Sequence, residues 1–167
     1  MVAHATQFRR ARQKGQELIE FTLMVFVVLG FIYMIIDVAW MVFTRATLQY
    51  AVREACRYAV ANGYDNPQYS PPNNIAAELP GILKRVEDNS MGFLNASNAA
   101  TYITVNWYSP SALNTPVNTA TCPNCNASPY VVEVDVVSYP QRPLLGIFTE
   151  KGPTRFVFTA ASADVME

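Results

Sequence analysis

Histidine is almost missing from this chain. The one copy, His4, lies near the N terminus, and the seven glycines form no phosphate-binding loop. With no imidazole in the body of the chain, and no pair of carboxylates at a readable spacing around a cleft, acid–base, nucleophilic and phosphoryl-transfer chemistry have no candidate residues. Glu133 and Asp135 share one strand face, but alternate acids on an exposed face read as solvated. No catalytic residue and no cofactor are expected. Cysteine is scarce as well, with three copies, Cys56, Cys122 and Cys125. One CxxC pair with no second pair and no usable histidine cannot supply a four-ligand zinc site, so no metal is expected. Net charge is nearly absent: 12 Lys and Arg against 13 Asp and Glu leave −1. No broad positive field exists to attract nucleic acid, which is not expected as a partner.

Proline occurs 11 times, yet none falls between Gly15 and Val60, so nothing breaks a helix there. From Leu18 to Phe43 the residues are almost all apolar. At ~1.5 Å per residue this run exceeds the ~30 Å hydrocarbon core of a bilayer and predicts a spanning helix over 16–43. A core helix of a large soluble protein would need more chain around it than this sequence provides. A cleaved secretory signal would have a shorter apolar region and small residues after it, whereas the outer flank here is Trp40-Met41-Val42-Phe43. Arg9, Arg10, Arg12 and Lys14 precede the run with no acid among them, which predicts a cytoplasmic N terminus and an extracytoplasmic remainder. Arg45, Arg53 and Arg57 follow the span and weaken that contrast, with Glu54 among them.

Two acids touch the apolar run. An ionised carboxylate at mid-bilayer costs ~2.5–3.5 kcal/mol even on lenient scales, but Glu20 lies near one edge and Asp37 near the other. Headgroup water accounts for either, and pairing with a neighbouring chain is the other reading of Asp37. Glu20 is the fifth residue after Gly15. A cut between Gly15 and Gln16 would place a new ammonium one helical turn from it, and a neighbouring subunit's ammonium would pair with Glu20 in low dielectric and set register.

A basic leader, Gly15, a Glu at the fifth position after it and a long apolar helix resemble the class III signal of type IV pilin-like proteins, within which the chain is most similar to TadE-like minor pseudopilins of the tight adherence (Tad) pilus. The segment Leu48-Gln49-Tyr50-Ala51-Val52-Arg53-Glu54-Ala55-Cys56-Arg57-Tyr58-Ala59 is similar to that family's AAREGAR pattern, with Cys56 where glycine is usual. Tyr130 to Val136, a Tyr139-Pro140 break and a last strand ending Ala160 to Glu167 add to the likeness, while the middle is unmatched. The resemblance implies a 1–15 leader removed by a prepilin peptidase, a mature chain in the bacterial inner membrane, partners among other pilin and pseudopilin subunits, and a role in pilus assembly for adhesion, biofilm or secretion. The competing reading is a single-pass anchor for an extracytoplasmic binding domain.

Beyond the span, 44–167 is expected to form one α+β domain. Leu48, Val52, Ala55 and Ala59 form one stripe on the continued helix, and Gln49, Arg53 and Arg57 fall away from it as solvated surface or intersubunit contacts. Asn62-Gly63, both tolerant of a left-handed backbone, end the helix. After a loop containing Pro71-Pro72, a second helix is predicted over 74–89, started afresh or kinked at Pro80. Strands are predicted over 101–108, 130–139 and 155–161, giving a three-stranded antiparallel sheet that covers the stripe. Arg142 to Phe148 is an apolar loop that caps the core or meets a subunit or membrane. In the long connection 109–129, Cys122 and Cys125 are a redox pair, half a metal site or a small disulfide, and an oxidising exterior favours the disulfide. Cys56 reads as a small packed side chain.

Overall fold

A computed structural model describes residues 3–70, 72–141, 143 and 156–166, with side chains from residue 16 onward. The loop 142–148, apart from its backbone at Pro143, the residues Pro71 and Arg155, and the leader side chains lie outside the described residues. Helix α1 (Ala3–Ala61) is continuous for 59 residues, about 90 Å of rod. It is followed by α2 (Ile75–Asn89), α3 (Ala99–Tyr102), β1 (Ile103–Ser109), β2 (Ala112–Pro116), β3 (Val131–Gln141) and β4 (Phe156–Val165). The strands form one antiparallel sheet in the order β2-β1-β3-β4.

The stripe on α1 becomes the core. Leu48, Val52, Ala55 and Ala59 are all fully buried, whereas Arg53 and Arg57 are exposed. Small alanines allow the sheet to approach α1 closely, and β3 supplies Val132, Val134 and Val136 to the contact, each with no exposure. Trp107 from β1 and Ile82 and Val86 from α2 close the cluster. Each such aliphatic side chain contributes ~1.5–3 kcal/mol by leaving water. The fold class is therefore α+β with a long N-terminal apolar helix, as the sequence predicts, but with four strands rather than three.

The additional strand is β2. All five of its residues are exposed, so neither face alternates and no period-two pattern marks it within the 109–129 connection. Its place at the sheet edge is compatible with Pro116, which cannot donate to a ladder. The turn-like stretch before β1 ends in the short α3, which moves the strand start from Thr101 to Ile103. The break expected at Tyr139-Pro140 is a bulge instead of an end: register shifts between Val136 and Tyr139, Ser138 takes φ 57°, and β3 continues to Gln141. Helix α2 does not restart at Pro80, which sits inside it. Asn74 caps α2 by accepting from the Ala77 amide at 2.9 Å.

The end of α1 corrects the sequence reading of Gly63. Neither Asn62 nor Gly63 is left-handed, and glycine is required for space. A Cβ there would stand 2.5 Å from the Asn126 carbonyl oxygen and 2.7 Å from Met166 Cε. The loop carrying Asn126 packs directly on the backbone, and the Tyr64 amide donates to that same carbonyl at 2.7 Å. Gly63→Ala is therefore expected to destabilise the domain by ~1–3 kcal/mol, the usual cost of overpacking, read as a lower denaturant midpoint followed by near-ultraviolet circular dichroism.

Candidate functional site

Between Gln16 and Ile36 helix α1 is bare. Its most apolar window of 18 residues is uncovered by the rest of the chain, and side chains such as Phe21 and Phe26 are 70% and 71% exposed. A rod of this length, uncovered and apolar all round, is long and apolar enough to span a membrane. Two of its threonine hydroxyls are satisfied within the helix: Thr22 Oγ1 donates to the Leu18 carbonyl at 2.8 Å and Thr44 Oγ1 to the Trp40 carbonyl at 2.9 Å.

At the start of this rod, Gln16 and Glu20 are both exposed and lie one turn apart, with Gln16 Nε2 donating to Glu20 Oε1 at 3.1 Å. The backbone at Gly15 and Gln16 is helical. The carboxylate thus leans toward the turn that would become the N terminus after a cut there. Asp37 differs. It is 6% exposed on a helix whose other nearby faces are open, and it is engaged within the chain, so the single chain already covers it. Arg53 is exposed, and Arg57 reaches Glu54 at 3.9 Å from a side chain that is 79% exposed, a pair that contributes little. Arg57 also lines an open cleft of about 510 Å³ together with Val60, Gly63, Asp65 and Asp164.

Cys122 and Cys125 form a disulfide. Its loop is docked by the Ile75 amide donating to the Pro123 carbonyl at 3.0 Å. Cys56 is free and buried, with Sγ 3.8 Å from the Val132 carbonyl, and burial pushes its thiol up to about 11. A thiol so rarely ionised is a packing group rather than a nucleophile.

Sequence reasoning missed the polar knot beneath the disulfide. Asn126, wholly buried, donates from Nδ2 to Glu78 Oε2 at 2.6 Å and to the Asn73 carbonyl at 2.9 Å, while Asn73 Nδ2 donates to the Asn62 carbonyl at 2.7 Å. Three segments distant in sequence are tied together there. Glu78 is 1% exposed, its Oε1 has no protein partner, and burial raises its carboxyl to about 8 against the opposing Asn126 hydrogen bond. A signal was available: Glu78 falls on the apolar stripe of α2 between Ile75 and Ile82, where an acid is out of pattern.

The acids on β3 are more than solvated surface. Tyr108 donates to Glu133 Oε2 at 2.6 Å, and that bond raises the phenol to about 12. Burial, then the neighbouring Glu133, raises Asp135 to about 6.

The protonated forms of Glu78 and Asp135 are favoured by folding, so each contributes most stability below its unfolded value and loses it as pH rises through the folded one. For Asp135 the loss falls between pH 3.8 and about 6, and for Glu78 between pH 4.5 and about 8. Thermal midpoints of the full chain in detergent should fall from pH 6 to 8, as stability declines by at most ~1.4 kcal/mol per pH unit. Glu78→Gln, which keeps an acceptor for Asn126, should flatten that slope. An unchanged slope in the variant would exclude Glu78 as its source.

Residues 15–57 match the sequence model of the family described as TadE-like protein. The match starts at the glycine before Gln16 and ends inside the buried stripe, so it covers the bare rod and most of the docking face. No curated protein and no solved structure matches the chain.

Proposed function

We propose that this chain, whose residues 15–57 match a TadE-like family model, is a minor pilin-like subunit of a Tad-type pilus, acting in pilus assembly after a prepilin peptidase cuts between Gly15 and Gln16. Its N terminus faces the cytoplasm, as the cluster Arg9, Arg10, Arg12 and Lys14 favours, and the domain lies on the far side of the inner membrane. The chain then joins other pilin and pseudopilin subunits through its apolar helix, in service of adhesion, biofilm formation or secretion.

The observation that carries this reading is an exposed carboxylate, Glu20, at the head of a wholly exposed apolar rod, oriented toward Gln16. Cleavage after Gly15 leaves a positive amine and the unpaired N–H groups of a new helix start, both of which favour an anion nearby. Between packed helices, that anion is supplied by the neighbour's Glu20, and helix-on-helix contact brings the apolar faces together. Removing one partner of a desolvated ion pair strands the other, so the acid enforces subunit register.

Intact mass of protein purified from membranes is expected to correspond to a chain starting at Gln16. Gly15→Val is expected to leave the leader in place. Glu20→Ala is expected to be processed but to enter pili less, by roughly tenfold or more, the factor carried by ~1.4 kcal/mol per subunit contact. Recovery of the uncut chain alongside normal pili would instead favour the anchored binding protein.

A further inference from the structure

The height of the domain along α1 can be read from two sets of contacts. Gln49 Nε2 donates to the Ala161 carbonyl at 2.8 Å, which sets Ala161 of β4 level with Gln49, and Met166 meets the backbone of Gly63. The two rungs are separated by about 21 Å of helix and about 17 Å of strand, so β4 runs almost along the helix axis. Extended downward on the same scale, Phe156 at the start of β4 lies about 17 Å below Ala161, level with Val38. Aromatic contacts give the same answer. Phe93 stacks edge-on against Trp40 at 5.9 Å and Phe43 at 6.1 Å, and Tyr139 packs on Phe93 at 6.3 Å while pairing with Phe158.

A ~30 Å hydrocarbon layer takes about 20 helical residues. Counted from the start of the apolar run at Leu18, its far boundary falls near Asp37 and Val38, and Trp40 then sits where interfacial aromatics collect. The lower end of the domain therefore reaches the plane where α1 leaves the acyl chains. At that end the surface is apolar: Val157 is 60% exposed and Phe156 42%. Met91 is 73% exposed, held outward where the chain reverses after α2 with φ 53° at Met91 and 85° at Gly92. Exposed Arg45 stands on α1 slightly above them, at phosphate height. Single exposed apolar residues are ordinary, but Phe156 and Val157 stand together at the lower end of β4, and Met91 lies two residues from Phe93, whose ring meets Trp40 and Phe43 on a helix long and apolar enough to cross a membrane.

We propose that Met91, Phe156 and Val157, beside Trp40 and Phe43, form a lipid-docking face that rests in the interfacial layer of the leaflet from which α1 emerges, with Arg45 on a lipid phosphate. The occupant is phospholipid, with apolar side chains among the upper acyl carbons and a cation among the headgroups. The domain is then held at two places, through the rod and through its own underside, which sets its tilt on the bilayer. This inference rests on the spanning reading of α1 and not on pilus assembly.

The test uses the full chain in phospholipid nanodiscs, with a nitroxide on Met91→Cys, Val157→Cys, Leu113→Cys or Val28→Cys, all at exposed positions. The native cysteines are buried or bridged, so label goes to the introduced one. Relative accessibility to oxygen and to a water-soluble nickel chelate should place Val157 about 5–10 Å into the headgroup and acyl boundary, Met91 shallower, Leu113 in water and Val28 deepest. Met91 and Val157 as open to nickel as Leu113 would overturn the docking face while Val28 still reports a span. Shielding from both quenchers that is lost on dilution with lipid would assign the face to a second copy of the chain and overturn it too. A water-exposed Val28 would sink the spanning reading and this inference with it.

Discussion

The stripe of Leu48, Val52, Ala55 and Ala59 and the inner valines of the sheet are buried against one another, with α2 closing the same core. This mutual burial is the constraint from which the rest follows. The stripe lies on the same uninterrupted helix as the bare apolar stretch, so the domain is built around that rod rather than hung from it by a linker. Proline is missing along that entire length for the same reason. A break would separate the bare apolar stretch of α1 from the stretch that packs against the sheet.

The sequence shows most clearly where periodicity is long and physical demands are simple. The span announces itself by length, the stripe by spacing, and β1 and β3 by alternation, because one solvent or one buried face dictates each. Legibility fails where structure is made by exposure or by distance in the chain. An edge strand exposed on both faces, such as β2, leaves no alternating signature. The knot of Asn62, Asn73, Glu78 and Asn126 looks like ordinary turn composition until folding collects it. Gly63 was legible as a glycine that mattered, but for the wrong reason, since sequence cannot reveal that another loop's carbonyl occupies the place of its side chain. At the candidate site, Gln16 and Glu20 were readable because they are neighbours on one helix, whereas the cover over Asp37 involves more than the helix and could not be foreseen.

The two ends of the molecule are constructed by different chemistry. Far from the span, hydrogen bonds among buried amides and one carboxyl tie the disulfide loop to both helices, an arrangement that is costly unless nearly every group is paired. Near the span, rings do the joining: Trp40, Phe43, Phe93, Tyr139 and Tyr102 pass contacts from α1 across to β3 and α3. Aromatic surfaces tolerate the graded polarity of a bilayer edge, which directional amide bonds do not.

The unbroken α1 has a mechanical consequence. Because it has no joint between bilayer and domain, a pull on the folded part is passed straight down the helix axis, and a pull from the lipid side is felt inside the hydrophobic core as sliding of the stripe across the sheet. All of that contact must slip together, where a hinged tether would yield one residue at a time. Under load the molecule would travel as a single stiff piece with its head locked to its shaft.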